Sequence, residues 1–600
     1  MDWTPQAAQQ FLDHERQFRL GCLLTEQSHP KTRWLSQTLA QDIQAGIRLL
    51  QSVDRDIPPA ARRAMAGPAF GQLVSQLEQA LRAGRRIFFT GCGATGRLAI
   101  LLEASWRRLW GGLAARSALP ECLAGMGDRV VSVMAGGDFA LIRSVEGFED
   151  FAGFGRRQLR EAGVAAGDVV VAVTEGGETS FVIGAAWQAL ESGADAFFVF
   201  NNPSEPLAQA VARSAEVLAE PRITKLDLHT GPMAVAGSTR MQATTIELLV
   251  LATAMEEAMA GFLEALPGQA GLERLGMVRQ PPEDRVEAFE RLLDELESPA
   301  SVSAMARQVG LEEDLYRRGG LVTYFADGCL LDILTDTTER SPTFALPPFA
   351  PCDDALARPS WAFVKNPTCP TPQAWQRMLG RMPRGLGWAA EVYERLGAPG
   401  HLAASPPDLR AAQVLKFRIG CEDDPGRHGA SPNLALAVRA GGQPGDADFA
   451  ARFAASATAF QKAAVLSIGP AATEISIYPV QLHVPCRLSA TPLDLWTHLA
   501  AKLVFNTVST ATMGRLGRLA GNWMIYVQPG NKKLIDRGTR LVAELAGLDY
   551  DQACRELFAT IRLLQRDPAA FGRAPSPAAA TIQRLAGDWP GRADEAVESE

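Results

Sequence analysis

No stretch of this chain approaches 18 uninterrupted apolar residues. Residues 1–20 carry Asp2, Asp13, Glu15 and two arginines where a secretory leader would have a basic stub and an apolar core. A membrane span and an export signal are therefore not expected. Runs of Lys or Arg are missing too, and the formal net charge is -8, so nothing draws the chain toward a nucleic-acid backbone or an anionic lipid surface. The seven histidines form no H-E-x-x-H and no ligand-spaced pair with cysteine, which predicts no metal site. The nine cysteines are scattered, odd in number and without a C-x-x-C pair, as expected for reduced thiols in a cytoplasmic protein.

What is present is an ordinary globular composition, 47% hydrophobic and 21% charged, spread over 600 residues. That length exceeds what one core usually organises, so two or more domains are expected. Residues 1–85 read as helical, with Leu and Ile at three- and four-residue intervals in 38–53 and 70–81. A unit of apolar strand, glycine turn and helix then recurs. The run 87–90 ends at Gly91, 130–134 at Gly136-Gly137, 169–173 at Gly176-Gly177, and 196–200 at Asn201-Asn202-Pro203. Short strands buried on both faces and alternating with helices predict an α/β fold with a parallel sheet. Residues 320–328 and the apolar helix after them echo 85–93, so the unit appears twice along the chain, with further strand candidates at 465–469 and 474–478. The Pro/Gly-rich stretches 266–276, 347–372 and 406–448 read as linkers or long loops, 542–564 as a helical cap, and the tail from Pro575 as loosely ordered. The expected divisions are a helical segment at 1–60, a first α/β domain at 61–265, a second at 283–535, and a C-terminal cap and tail at 536–600.

Gly91-Cys92-Gly93-Ala94-Thr95-Gly96-Arg97 lies between a strand and a helix, where backbone N–H groups and a helix N-terminus hold an anion such as phosphate. The same spacing fits a dinucleotide loop, but no acidic partner follows at a second strand end to hold a ribose. Gly237-Ser238-Thr239-Arg240-Met241 opens another apolar helix, and hydroxyls there supply caps and anion-directed donors. If the strands are neighbours, Thr95 and Ser238/Thr239 grip one phosphate, with Gly176 and Gly177, and Thr179 just beyond them, allowing close backbone approach.

Together with Ala135-Gly136-Gly137-Asp138, the run Val145-Glu146-Gly147-Phe148-Glu149-Asp150, Lys502-Leu503-Val504-Phe505-Asn506-Thr507 and Asn531-Lys532-Lys533-Leu534, these segments resemble the family that joins N-acetylmuramic acid 6-phosphate etherases and glucokinase regulatory protein. The resemblance runs from about residue 20 to 565, and Leu24-Thr25-Glu26 matches the family's opening. It implies two tandem sugar isomerase (SIS) domains, the first binding a phosphorylated amino sugar or hexose phosphate. Gly91, Gly93, Ala94, Thr95, Gly96, Gly176, Gly177, Thr179, Ser238, Thr239 and Arg240 are the implied binding residues, with Lys502 reaching in from the second domain. Glu149 falls on one catalytic glutamate of the family. The other falls on Ser105 in the first domain but on Glu339 in the second, within Asp336-Thr337-Thr338-Glu339. The second domain's own loop, Ala326-Asp327-Gly328-Cys329, lacks hydroxyls, which implies one composite site.

Such a pair suits a lyase without a cofactor, Glu149 as base at C2 and Glu339 as acid toward a departing lactate. Both carboxylates also occur in the regulator's pattern, so a non-catalytic sensor that acts on a sugar kinase is the alternative. A ketose/aldose isomerase shares the fold but needs a different base. The sequence departs from the family at Gln242, which stands for Lys, and at Glu175-Gly176-Gly177-Glu178, which replaces a Ser-containing loop. Carboxylates a few ångströms from a phosphate repel it by about 4 kcal/mol per charge pair at an effective dielectric of 20, so these substitutions point to a changed ligand.

Overall fold

The computed structural model describes residues 3–116, 121–145, 147–266, 277–429, 432–441, 446–472, 478–566 and 576–586. Glu146, most of the stretch 266–276, most of the strand candidate 474–478 and residues 587–600 of the tail lie outside the described residues, whereas Pro577–Ala586, read as loosely ordered tail, is a helix that buries Ala578 and Ile582. Among the described residues no helix is long and apolar enough to cross a membrane.

Five parallel strands form the first sheet: β1 (Ile87–Gly91), β2 (Val130–Met134), β3 (Val169–Val173), β4 (Asp195–Phe200) and β5 (Ile223–Asp227), in the order β2-β1-β3-β4-β5. Every residue of β1 and β3 is buried, which is why these strands read as continuous apolar runs without alternation. The second sheet is also parallel and consists of β6 (Leu321–Phe325), β7 (Ala362–Lys365), β8 (Asn433–Ala440), β9 (Lys462–Gly469) and β10 (Val480–Pro485). Its order β10-β9-β8-β6-β7, taken from the other edge, repeats the topology of the first sheet strand for strand. The internal repeat is therefore an architectural one.

Two of the stretches expected to be loops contain strands. β7 lies within 347–372, and β8, buried at all eight positions, lies within 406–448. Proline and glycine on either side obscure both in the sequence, whereas pairing with β6 and covering by helices favour the extended form. The helical reading of 38–53 divides at Asp42, whose side chain accepts from Gln44 N and Ala45 N and starts the helix Ile43–Asp54. The C-terminal cap is likewise two helices, Lys532–Ala546 and Tyr550–Arg566, with Gly547 ending the first in a left-handed conformation.

One apolar cluster runs through both units, joining Ile100 and Met134 of the first to Leu331 and Phe505 of the second. The opposite face of the first sheet, around Phe88, Val170 and Phe198, is completed by Trp388, Val392 and Tyr393 from the second unit. Trp388 stacks on Phe148 at 5.6 Å and donates to Glu161 Oε2 at 2.7 Å, so this segment covers the loop that carries Glu149. Nearby, Arg381 pairs with Asp138 at 2.5 Å and with Glu103 at 3.1 Å, and Arg384 with Glu103 at 2.9 Å. The units are thus locked by apolar burial and by desolvated ion pairs.

Candidate functional site

The turn after β1 is tight because Gly91 presses on the next helix: a Cβ there would lie 2.5 Å from the backbone carbon of Thr95. Thr95, 1% exposed, ties the turn together, its Oγ1 accepting from Cys92 N at 3.0 Å and donating to Cys92 O at 3.0 Å. Cys92, Gly93 and Ala94 keep partial access to solvent as the helix Ala94–Arg116 begins, leaving its first N–H groups and positive dipole end facing the opening. That is an anion cradle built from backbone. Gly96 lies one turn inside.

Around the cradle, Glu149, Glu175, Thr179, Thr239, Glu339, Lys502, Asn531 and Lys533 are partly accessible among buried neighbours. Glu149 accepts from Asn531 Nδ2 at 2.5 Å, and the same asparagine starts the C-terminal helix by accepting from Leu534 N. Burial pushes Glu149 above the usual carboxylate range, opposed by Lys533 and reinforced by Asp150 and Glu178. Glu339 arrives from the helix Leu330–Phe344 of the second unit and pairs with Arg97, whose backbone N–H bonds Gly93 O at 3.1 Å. Both glutamates therefore flank the same turn from different units.

Lys533 pairs with Glu178, and although burial opposes its charge, Glu178, Glu26 and Glu149 hold it well above the usual lysine value. Lys502 donates to Arg240 O at 2.6 Å and Met241 O at 3.4 Å, and burial lowers it to about 8. It lines a cleft with Ala94, Arg97, Asp336 and Glu339. The Ser238/Thr239 hydroxyls do not cap the following helix, which begins at Gln242 after an N-cap without a side-chain bond. Their loop is fixed instead at Gly237, at φ +73°, where a Cβ would meet the Arg537 guanidinium at 2.6 Å. Arg240 turns away into the second unit, pairing with Asp336 at 2.8 Å and donating to Ser509 and Thr510. Gly176 and Gly177 form the neck of the β3 loop, and Thr179 Oγ1 lies 3.0 Å from Thr174 Oγ1.

The departures from the family pattern have structural settings. Gln242 is fully buried, accepting from Ala234 N at 3.0 Å and donating to Asp54 at 2.7 Å. Ser105 faces not the cradle but His498, at 3.1 Å, whose other ring nitrogen lies 2.9 Å from Asp332. In the second unit's loop, Asp327 pairs with Arg439 at 2.5 Å. Arg97, Asn531 and Lys533 stand in motifs quoted above, yet no role for them was readable, because their partners are remote in sequence.

Among the described residues no cationic side chain pairs with Glu175. Burial, the largest cause, together with Glu339 and Glu178 pushes it up to about 7, and burial raises Asp54 to about 7 as well. In the unfolded chain these carboxyls titrate near their ordinary values, so between roughly pH 4 and 7 the native state holds more protons. Stability is therefore fully present at the acidic end of that window and lost as pH rises through about 7. The melting temperature is expected to fall between about pH 5 and 7.5, and to fall less in Glu175→Gln; equal slopes by calorimetry would contradict it.

Residues 71–190 match the family model for the glucokinase regulatory protein N-terminal SIS domain. The N-acetylmuramic acid 6-phosphate etherase of Yersinia pestis (strain Pestoides F) is 34% identical over 237 residues, 39% of this chain and 69% of that protein. The etherase of Yersinia pseudotuberculosis serotype O:1b (strain IP 31758) matches to the same extent. Among solved structures, the C-terminal domain of glucosamine-fructose-6-phosphate aminotransferase from Francisella tularensis aligns over 79% of this chain and 96% of its own, at 10% identity and TM-score 0.41. Tagatose-6-phosphate ketose/aldose isomerase from Escherichia coli aligns over 78% and 93%, at 11% identity and TM-score 0.40.

Proposed function

The chain belongs to the N-acetylmuramic acid 6-phosphate etherase family, and from that premise we propose that it is a sugar-phosphate lyase that cleaves a lactyl ether by elimination and hydration. The observation that carries this is the convergence of Glu149 and Glu339, from different units, on the turn between β1 and its helix. The phosphate sits on the turn's backbone N–H groups; β1 and β5 are separated by β3 and β4, so the strands before Thr95 and Ser238/Thr239 are not the neighbours that a shared grip was expected to need. Glu149 takes the C2 proton of the open-chain sugar. Its burial raises its proton affinity and makes it the stronger base, while Asn531 fixes its orientation. The C3–O bond then breaks, Glu339 gives a proton to the departing lactate oxygen, and a double bond forms between C2 and C3. Water adds back, its hydroxyl to C3 and its proton to C2, giving N-acetylglucosamine 6-phosphate and D-lactate. Glu175, holding its proton up to about 7, keeps a proton in the Glu339 half of the pocket at neutral pH.

A second reading, a non-catalytic sugar-phosphate sensor of a sugar kinase, is favoured by the match of residues 71–190 to the regulatory-protein domain. The discriminating experiment is incubation of the purified protein with N-acetylmuramic acid 6-phosphate and enzymatic assay of D-lactate. Lactate accumulating with time supports the lyase. Sugar-phosphate binding without any lactate leaves the sensor.

A further inference from the structure

We propose that Lys502 binds the carboxylate of the lactyl group, so that the cleft between the two units is the subsite of the departing acid. This rests on the lyase function proposed above and deepens it, because it assigns the part of the substrate that the phosphate turn and Glu149 leave unheld. The course of the cleft comes first. One wall is the helix Ala94–Arg116, through Ala94, Arg97, Leu98 and Leu101, and another is the second unit's helix Leu330–Phe344, which contributes Glu339. Of residues 91–96 Ala94 alone lines it, and Ser238 and Thr239 do not, so the cleft leads away from the phosphate turn along the helix. Glu339 belongs to both places, since it lines the cleft while its partner Arg97 bonds Gly93 O of the turn at 3.1 Å. A leaving group that takes its proton from Glu339 projects into this cleft, and in the elimination that group is lactate.

The cations that line the cleft are Arg97, Arg240 and Lys502. Arg97 is committed to Glu339, and Arg240 to Asp336 at 2.8 Å. Lys502 differs. Its ammonium donates to two backbone carbonyls, Arg240 O at 2.6 Å and Met241 O at 3.4 Å, and among the described residues no carboxylate pairs with it. One of its three donors is left over, and the side chain keeps partial access to solvent. A cation withdrawn from water without a counter-charge is held at a cost, and burial lowers Lys502 to about 8. An entering carboxylate supplies the missing charge through a charge-assisted hydrogen bond. The acids of the cleft do not compete for the ammonium, since Asp336 and Glu339 hold the two arginines and Asp332 lies 2.9 Å from His498. Leu98, Leu101 and Leu248 add apolar wall. A lactyl group, with one carboxylate and one methyl, matches a single free cation beside leucines. A phosphate, with about two charges and three strong acceptor oxygens, does not.

Steady-state kinetics on Lys502→Met tests this, with N-acetylmuramic acid 6-phosphate as substrate and N-acetylglucosamine 6-phosphate, which lacks the lactyl group, as competitive inhibitor. The variant is expected to lose about tenfold or more in kcat/KM while the Ki of the inhibitor moves by about twofold or less. A Ki that weakens as far as kcat/KM falls assigns Lys502 to the phosphate and overturns the inference, and an unchanged kcat/KM overturns it too. A second measurement needs no variant. The parent protein is expected to act on the substrate's lactyl primary amide with a kcat/KM about tenfold or more below that for the acid, and equal values overturn the inference. Should the parent release no lactate, the lyase reading fails and titration calorimetry decides the subsite by itself. Binding of N-acetylmuramic acid 6-phosphate about tenfold or more tighter than N-acetylglucosamine 6-phosphate sustains it, and equal binding or none overturns it.

Discussion

Glu149→Gln is expected to lower D-lactate release from N-acetylmuramic acid 6-phosphate by at least about 100-fold while leaving the fold intact or slightly firmer. Glutamine keeps the shape and can still meet Asn531, but it cannot take a proton from carbon. The carboxyl it replaces is raised by burial and pressed by Asp150 and Glu178, so its ionised form is held at a cost in the native state. Removing that charge relieves the cost, so the variant should melt no lower than the parent at neutral pH. Glu339→Gln should lose turnover to a similar degree, but with a different signature. It removes the counter-charge of Arg97, which is 1% exposed, and a buried guanidinium without one destabilises the protein. Steady-state assay and calorimetry on both variants would separate the roles. More than about a tenth of parental activity surviving in Glu149→Gln excludes it as the base.

Arg240→Met is expected to produce the largest loss of stability of any single change at the interface between the units, about 3–5 kcal/mol. Arg240 leaves the first unit just before the helix Gln242–Glu264 and is buried among second-unit side chains, with Asp336 at 2.8 Å, Ser509 at 3.2 Å and Thr510 at 3.0 Å. Asp336 also pairs with Arg340 at 2.8 Å, which reaches Glu312 at 3.3 Å, so the loss of one guanidinium unbalances a chain of fully buried charges. For a protein of this size the loss corresponds to a melting temperature lower by roughly 2–4 °C. A single variant that melts within about 0.5 °C of the parent would show that the network contributes little across the interface.

Much of the architecture was legible because its causes are local. β1 and β3 announced themselves as apolar runs ending at glycine, since a strand buried on both faces has no reason to alternate. The turn 91–96 was readable because a strand, a tight glycine approach and a helix start must be consecutive to make an anion cradle. β7 and β8 were missed because Pro/Gly-rich neighbours masked short segments whose extended form depends on pairing with β6. The family resemblance placed Glu149 and Glu339 in one site, but nothing in their spacing requires it.

The sequence by itself determined two parallel α/β units, a phosphate-type turn in the first and a turn without hydroxyls in the second. Only the tertiary structure decided which charges meet. Arg97 finds Glu339 across 242 residues, Lys533 finds Glu178 across 355, and among the described residues no cationic side chain pairs with Glu175. Secondary structure follows from steric preferences and periodicity within a few residues, whereas ionisation and pairing depend on burial and on distances through space, which contiguous sequence does not encode.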